Sequence, residues 1–438
     1  MSEYLTAPAP ANASKCPVNH QDIDLLAPGS QEYWFDAYEI LHRECPVVHL
    51  PGEGRTPGTD AFIVTRYDDI RRIVRDPQRF TTQPNTGNSE IQAAIFREEG
   101  FAEAVEAQSN LRPDIEAQKR YRQQITDPWV GPPGAARHRE LVYRIANSLI
   151  DRWIDAGEVE FVKGFAAPLP QTVITTILGF PLEDMPMLRK MEEAQVRRFV
   201  HSTNVRNEMS PEEERENAAD LVEFNRYIQA QIDRKRKQPA DDMVTFLTRV
   251  EFDGRKLNDG EITSVALLMH IGGNETTQYA LTAEALLLAR TPGLVKELRD
   301  DESRIRFFVE ESLRMYAPTQ GLTARIAAED VEIRGVKVPK GSTMHLRFGA
   351  ANRDPGQFPD PGAFDMARPH PGQHLTFSQG PRSCPGAGLS RLEQNVATRV
   401  LLERLETLDL HPEKNDFLHQ PGIMLGMNHL DLTFTKRT

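Results

Sequence analysis

Beyond residue 67 the apolar positions recur mostly at three- and four-residue spacing, so the texture of the chain is mainly helical. Residues 140–156 (ELVYRIANSLIDRWIDA) predict an amphipathic helix, and 212–237 have the dense charge of an exposed one. Residues 261–290 (EITSVALLMHIGGNETTQYALTAEALLLAR) predict a single long helix. Strand signals are few and short. Residues 46–50 (PVVHL) and 61–65 (AFIVT) flank a "PGEGRTPG" turn, 330–343 alternates like a hairpin, and 422–436 suggests another. Residues 84–133 break the helical pattern: they are polar, rich in Glu and Gln and punctuated by Gly and Pro. That length marks a functional lid rather than a plain connector. Residues 1–20, rich in Ala, Pro and Ser, read as a mobile arm. No internal repeat is apparent. The pattern predicts a mainly α protein with small β-sheets, one domain over 21–438 behind the arm.

Charge and cysteine usage narrow the function classes. The chain has 438 residues, enough to bury a large core and a cofactor with it. A formal net charge of −12 argues against general nucleic-acid binding. The basic runs at 119–122, 137–139 and 234–237 read as solvated helix faces. Three cysteines (Cys16, Cys45, Cys384) without a CxxC pair argue against a disulfide framework or structural zinc and for a reducing compartment. No basic-then-apolar leader and no run of 18 apolar residues is present, so a cytosolic protein without a membrane span is expected.

Three local patterns carry chemistry. In the middle of the long helix stands "GGNETT". Each glycine costs a helix interior up to about 1 kcal/mol relative to alanine, and mid-helix threonines compete for backbone hydrogen bonds. Either a bulky flat group approaches there, with Glu275 and Thr276 as a proton-passing acid and hydroxyl, or the helix merely kinks or crosses another closely. In "VEESLRMY", Glu311 and Arg314 share one helix face. A long coil, 349–369, follows and has to be pinned, which suits an arginine fork. Finally, "HLTFSQGPRSCPGAG" holds Cys384 in a Gly/Pro-rich loop immediately before a helix. Gly386 and Ala387 can aim N–H groups at the sulfur, and a helix N-terminus favours negative charge, so a lowered thiol pKa is expected. Such a thiolate is a nucleophile or a metal ligand.

Phe377, Gly380, Arg382, Cys384 and Gly386 fit F-x-x-G-x-R-x-C-x-G, and the chain thereby resembles the cytochrome P450 haem-thiolate monooxygenases. "GGNETT" fits the family's [A/G]-G-x-[D/E]-T-[T/S], Glu311 and Arg314 its E-x-x-R, and "AANRDP" at 350–355 is typical of bacterial members. The resemblance runs from about residue 25 to the C-terminus. It implies haem b between the long helix and the helix after the cysteine loop, with Cys384 as axial ligand and Phe377 covering the sulfur. Gly386 belongs to the same cofactor loop. Arg325 and Arg382 would bind the propionates. "GPPGAARHRELV" lines up with the family's D-P-P-x-H-x-R-x-R-x-L-V, so Arg139 would be a further propionate ligand and Ala135 would replace the usual histidine. Glu275 and Thr276 would be the proton-delivering pair, and Glu311 and Arg314 would brace the coil at 367–369.

The resemblance further implies insertion of one atom of O₂ into a small to medium hydrophobic substrate, by hydroxylation or oxidative dealkylation. A peroxygenase or another haem protein is the alternative. Electrons would come from a small acidic ferredoxin fed by a flavin-dependent reductase, docking near Arg137, Arg139 and Arg391. A monomer is expected. Alignment with the family gives Met269, Gly273, Thr319, Gln320, Leu322, Met424 and Leu425 as substrate-pocket residues. Ser378 and Gln379 depart from the glycine that bacterial members often carry there.

Overall fold

The computed structural model describes residues 17–27, 29–82, 90–201, 209–321, 324–420 and 422–437. Cys16, Leu322 and most of the N-terminal arm lie outside the described residues; within the arm's tail, His20 already opens a short 3₁₀ turn. The architecture is mostly helical with small sheets, as the apolar spacing predicts.

The central element is the helix Asp259–Arg290, called here the central helix. It is apolar on most of its circumference, and packing buries most of it. Its start is fixed by a capping box: Asn258 Oδ1 accepts from Glu261 N (2.8 Å) and Glu261 Oε2 from Asn258 N (2.9 Å). The helix continues unbroken through "GGNETT". Its close crossing lies elsewhere, at Gly260, where a Cβ would sit 2.6 Å from Glu103 Cβ. Gly272 faces open space and Gly273 meets Ile174 at an ordinary distance, so neither glycine is required by a helix crossing.

Residues 84–133 are not an irregular lid. Their described part forms the helices Glu90–Glu98, Ala102–Leu111 and Ile115–Tyr121, then a π-turn over Arg122–Thr126. The second of these docks on the central helix through Gly260 and a Gln108–Ser264 hydrogen bond (2.9 Å). Polar composition hid these helices because each buries a narrow apolar face, Phe96 of the first against Leu221 and Val222 and Leu111 of the second in the main core. The amphipathic helix expected at 140–156 spans Arg139–Ile150 and then loosens into turns. The helix over 212–237 runs Pro211–Lys237, and Leu221, Phe224, Ile228 and Ile232 bury one face of it. It is therefore a packed helix with one charged side.

The main sheet orders its strands Val47–Leu50, Ala61–Val64, Thr343–Leu346, Ala324–Ala327, Phe80–Thr81. Val331–Ile333 and Val336–Val338 form the expected hairpin. The hairpin expected at 422–436 does not form: Asp431–Lys436 pairs with Leu405–Leu410 and Glu158–Glu160, while 419–427 makes a loop. Among the described residues no helix is long and apolar enough to cross a membrane.

Candidate active site

The cysteine loop is held by its own backbone. Leu375 N donates to Asn352 Oδ1 (2.6 Å), Ser378 N to Leu375 O (2.7 Å) and Cys384 N to Phe377 O (2.8 Å). Gly380 has φ +77°, and a Cβ there would lie 2.5 Å from the Val74 carbonyl, so the turn requires glycine twice over. Ser378 also takes a left-handed conformation (φ 58°). Gly386 and Ala387 donate their N–H groups to the half-buried Cys384 sulfur, as the sequence suggests. Its pKa nevertheless moves the other way from expectation. Burial pushes the thiol up, and the two N–H groups with Arg122 and Arg391 only partly offset it.

Charged side chains back the loop. Arg391 makes a bidentate contact to Glu310 (2.5 and 2.9 Å) and stands 4.4 Å over the Phe377 ring. Glu310 also meets His374 Nε2 (3.0 Å). Against the upward push of burial, these two partners pull the Glu310 carboxyl down to about 2. Nearby, Arg314 and Arg368 both grip Glu311, at 2.7–2.9 Å. Arg314 further donates to the carbonyls of Asn352, Pro361 and Ala363, and Glu311 accepts from Asp365 N (3.0 Å). The coil between 352 and 368 is thus stitched to one fully buried ion-pair cluster.

Three arginines gather without carboxylate partners among the described residues. Burial and the neighbouring Arg382 lower Arg325 to about 10, and burial with Arg112 lowers Arg382. Arg112 itself lies over the Tyr121 ring at 5.0 Å. Arg122 completes this side, donating to Ser383 O (2.8 Å) and Asp127 (2.9 Å). Arg139 is not among them. It is exposed and lines an outer cleft of about 430 Å³ with Pro132, Glu302, Arg391 and Arg399. The reason is that "GPPGAAR" abuts the helix Ala387–Arg404 from outside. A Cβ on Gly388 would sit 2.6 Å from Pro132 N, and Leu389 N donates to Val130 O (3.1 Å). Ala135 is a core residue of that contact, so no histidine contact is missing from it.

On the central helix, Thr276 Oγ1 donates to Gly272 O (3.0 Å), while Thr277 Oγ1 meets Ser390 Oγ (3.2 Å) on the helix after the cysteine. Leu268, Gly272 and Thr276, spaced by four, form the strip that packing leaves accessible. Met269 is buried in the core and Gly273 faces Ile174, so neither belongs to the accessible strip. Gln320 is fully buried, bonded to Tyr38 Oη (2.8 Å) and Ala317 O (2.6 Å), and Leu425 packs in the N-terminal core cluster. Both are packed into the core. Thr319 and Met424 remain half-exposed and bridge each other. Burial, reinforced by Glu193, pushes the Glu275 carboxyl up to about 7.

A family model described as Cytochrome P450 matches residues 213–434. The 6-deoxyerythronolide B hydroxylase of Saccharopolyspora erythraea is 33% identical over 402 residues, covering 91% of this chain and 95% of its own. The chain belongs to the cytochrome P450 family. The P450 monooxygenase PikC of Streptomyces venezuelae is 29% identical over 428 residues, covering 94% of each chain. The crystal structure of P450BioI bound to an acyl-loaded carrier protein superposes with a TM-score of 0.79 at 27% identity, covering 92% of this chain and 99% of that one. The protein is thus a bacterial-type P450 monooxygenase, and its family implies haem, O₂, an organic substrate and a redox partner.

A second stretch carries part of the arginine motif, beside the one at 131–142. The H-x-R-x-R part of the pattern also fits Gln118, Arg120 and Arg122. Gln118 is buried with an unpartnered Oε1, Arg120 turns outward to Asp253 (2.9 Å), and Arg122 reaches the cysteine loop. Sequence reading missed it because a glutamine occupies the histidine position and no Pro-Pro pair precedes it.

Proposed function

We propose that the protein binds haem b through Cys384 and hydroxylates, or oxidatively dealkylates, a small to medium hydrophobic substrate within one catalytic unit spanning 21–438. The residues fit that cofactor. A cluster of buried cations without carboxylate partners among the described residues suits two propionates. An accessible strip containing a side-chain-free glycine suits a flat ring. Cys384, with two N–H donors, suits an iron ligand whose charge overcomes the burial of the thiol. The arginine cluster beside the cysteine loop is the observation that carries the reading. Bound haem supplies oxygen activation and transfer of one oxygen atom to the substrate.

The chain's own residues do the rest. Arg112, Arg325 and Arg382 orient the cofactor. Phe377, held under Arg391, shields the sulfur. Thr276 presents a hydroxyl on the open strip, and Glu275, poised to about 7, holds or yields a proton near neutral pH. Leu268, Thr319 and Met424 supply apolar wall to the substrate side. Electrons arrive from a ferredoxin, reduced by a flavin enzyme, at the outer cleft. Of the three arginines expected there, Arg137 is tied to Asp241 and Trp129 and Arg391 to Glu310. Arg139 has no carboxylate partner among the described residues and is the cation offered to an acidic partner. A cytoplasmic monomer fits this arrangement.

The test is turnover under isotopically labelled oxygen gas with a ferredoxin and its reductase. One labelled atom in the product supports monooxygenation. Label-free product, formed equally well with peroxide alone, supports the peroxygenase reading instead.

A further inference from the structure

Beside Glu275 the structure encloses a chamber of about 150 Å³, lined by Arg189, Glu192, Glu193, Asn274 and Gln420 as well. Glu192 and Asn274 are 3% and 5% exposed, and Asn274 Nδ2 donates to Glu192 Oε2. Three buried oxygens around this one space lack hydrogen-bond partners: Glu192 Oε1, Asn274 Oδ1 and Glu275 Oε2. Unpaired buried oxygens are costly. A polar void of this size holds several waters that satisfy them. Two carboxyls facing one chamber cannot both stay ionised. Burial first, and then the charge of Glu275, drives Glu192 well above the ordinary carboxyl range; the Asn274 hydrogen bond and Arg189 oppose this. The other titratable groups on the chamber are Tyr279, raised chiefly by burial, and Glu193. Arg189 and Glu193 are largely exposed and form its mouth to solvent.

We infer that Glu192 is a positioning residue for proton delivery: its carboxyl, held by Asn274, refills Glu275 through the water of this chamber. Each time Glu275 gives up a proton, the Glu192 O–H bond breaks, the proton crosses by water, and an O–H bond forms on Glu275. Solvent at the Arg189–Glu193 mouth then returns a proton to Glu192. No electron moves in this cycle. The role rests on the P450 reading above, but it is a property of the contact between the helix Met185–His201 and the central helix and not of the family motif, which leaves position 274 unspecified.

The decisive variant is Glu192→Gln, which keeps the shape and can accept from Asn274 but cannot lose a proton. Expected are a fall in product formed per NADH of roughly 3- to 10-fold, below the direct acid–base contribution of about 10²-fold or more, and a larger solvent deuterium isotope effect. Glu192→Asp should recover part of the coupling. Peroxide-driven product formation, in which peroxide brings its own protons, should not change. Without any turnover, the infrared difference between wild type and Glu192→Gln at pH 7 should contain a protonated-carboxyl C=O band that shifts in D₂O. Unchanged coupling and isotope effect in Glu192→Gln, or the absence of that band, overturns the inference. Equal losses in the NADH-driven and peroxide-driven reactions would also overturn it, since they indicate a purely structural role. If reduced wild-type protein lacks the red-shifted carbon monoxide band, the P450 reading itself has failed, which is a separate result.

Discussion

The two sides of the proposed haem site are built in opposite ways. Behind Cys384 the charges are paired off: backbone N–H groups face the sulfur, Glu310 holds Arg391 and His374, and Glu311 holds Arg314 and Arg368, which leaves only the arginines assigned to the cofactor without carboxylates among the described residues. Around Glu275 the polar groups are left wanting, with three unpartnered oxygens on one chamber and a carboxyl poised near neutrality. The first arrangement fixes a ligand in one geometry. The second leaves protons free to move. An electron-donating ligand needs the former and acid–base work needs the latter, so the contrast follows the chemistry assigned to each side.

The largest expected effect comes from breaking the rigid side. Arg314→Ala leaves Glu311 buried with half its pairing and strips the Asn352 and Pro361 carbonyls of their Arg314 donor, while Ala363 keeps Arg368. A loss of about 3–5 kcal/mol in unfolding free energy is expected by denaturant titration. A loss below about 1 kcal/mol would mean that the 352–368 coil is held otherwise. Next come the propionate arginines. Arg325→Ala should weaken haem retention about tenfold, the loss of one charge-assisted hydrogen bond. Arg139→Ala should leave haem retention unchanged and slow reduction by ferredoxin. The reverse result would restore the first motif assignment. On the soft side, Thr276→Ala should keep the fold and divert about half or more of the NADH consumed away from product, within the range of a positioned proton donor; unchanged coupling would remove Thr276 from that role.

The smallest effect is in pH-dependent stability. Glu284, buried against Thr398, is raised by burial to about 8, as Glu275 is to about 7. A raised carboxyl binds more protons folded than unfolded between its ordinary value near 4.5 and the raised one, so its contribution to stability falls as pH rises through that window. His270 and His345, lowered by burial to about 4 and 3, act oppositely and lose stability as pH falls below 6.5. The two trends offset each other in the acid range and leave a net decline between pH 6.5 and 8. Glu284→Gln should flatten that decline in thermal melts; an unaltered slope would show that Glu284 is ionised in the folded protein.

The same contrast decided what could be read from the sequence. The rigid side is written in contiguous motifs: Cys384 and its glycines within ten residues, Glu311 and Arg314 on one helical turn. The coil they pin was expected for that reason. The strip facing the substrate was assigned one residue out of phase, an error of about 100° around a helix. Counting back by fours from Thr276 reaches Gly272 and Leu268 and would have corrected it. "GPPGAARHR" carries the arginine motif and points to Arg139, whereas Arg120 and Arg122 stand where a glutamine occupies the histidine position, and Arg112 lies outside either pattern. The Glu192–Asn274 pair joins residues 82 positions apart, and no local pattern marks it. The helices within 84–133 are hidden for a related reason: their apolar faces are narrow, with Phe96 set against Leu221 and Val222 and Leu111 in the main core, and polar residues fill the rest.

Ligation by Cys384 supports everything else proposed here, and one spectrum tests it. Purified protein, loaded with haem, is reduced and exposed to carbon monoxide, alongside the variant Cys384→Ala. A far-red-shifted Soret band in the wild type that vanishes in the variant is the predicted result. A band at the ordinary haem–carbon monoxide position in both proteins would contradict thiolate ligation by Cys384.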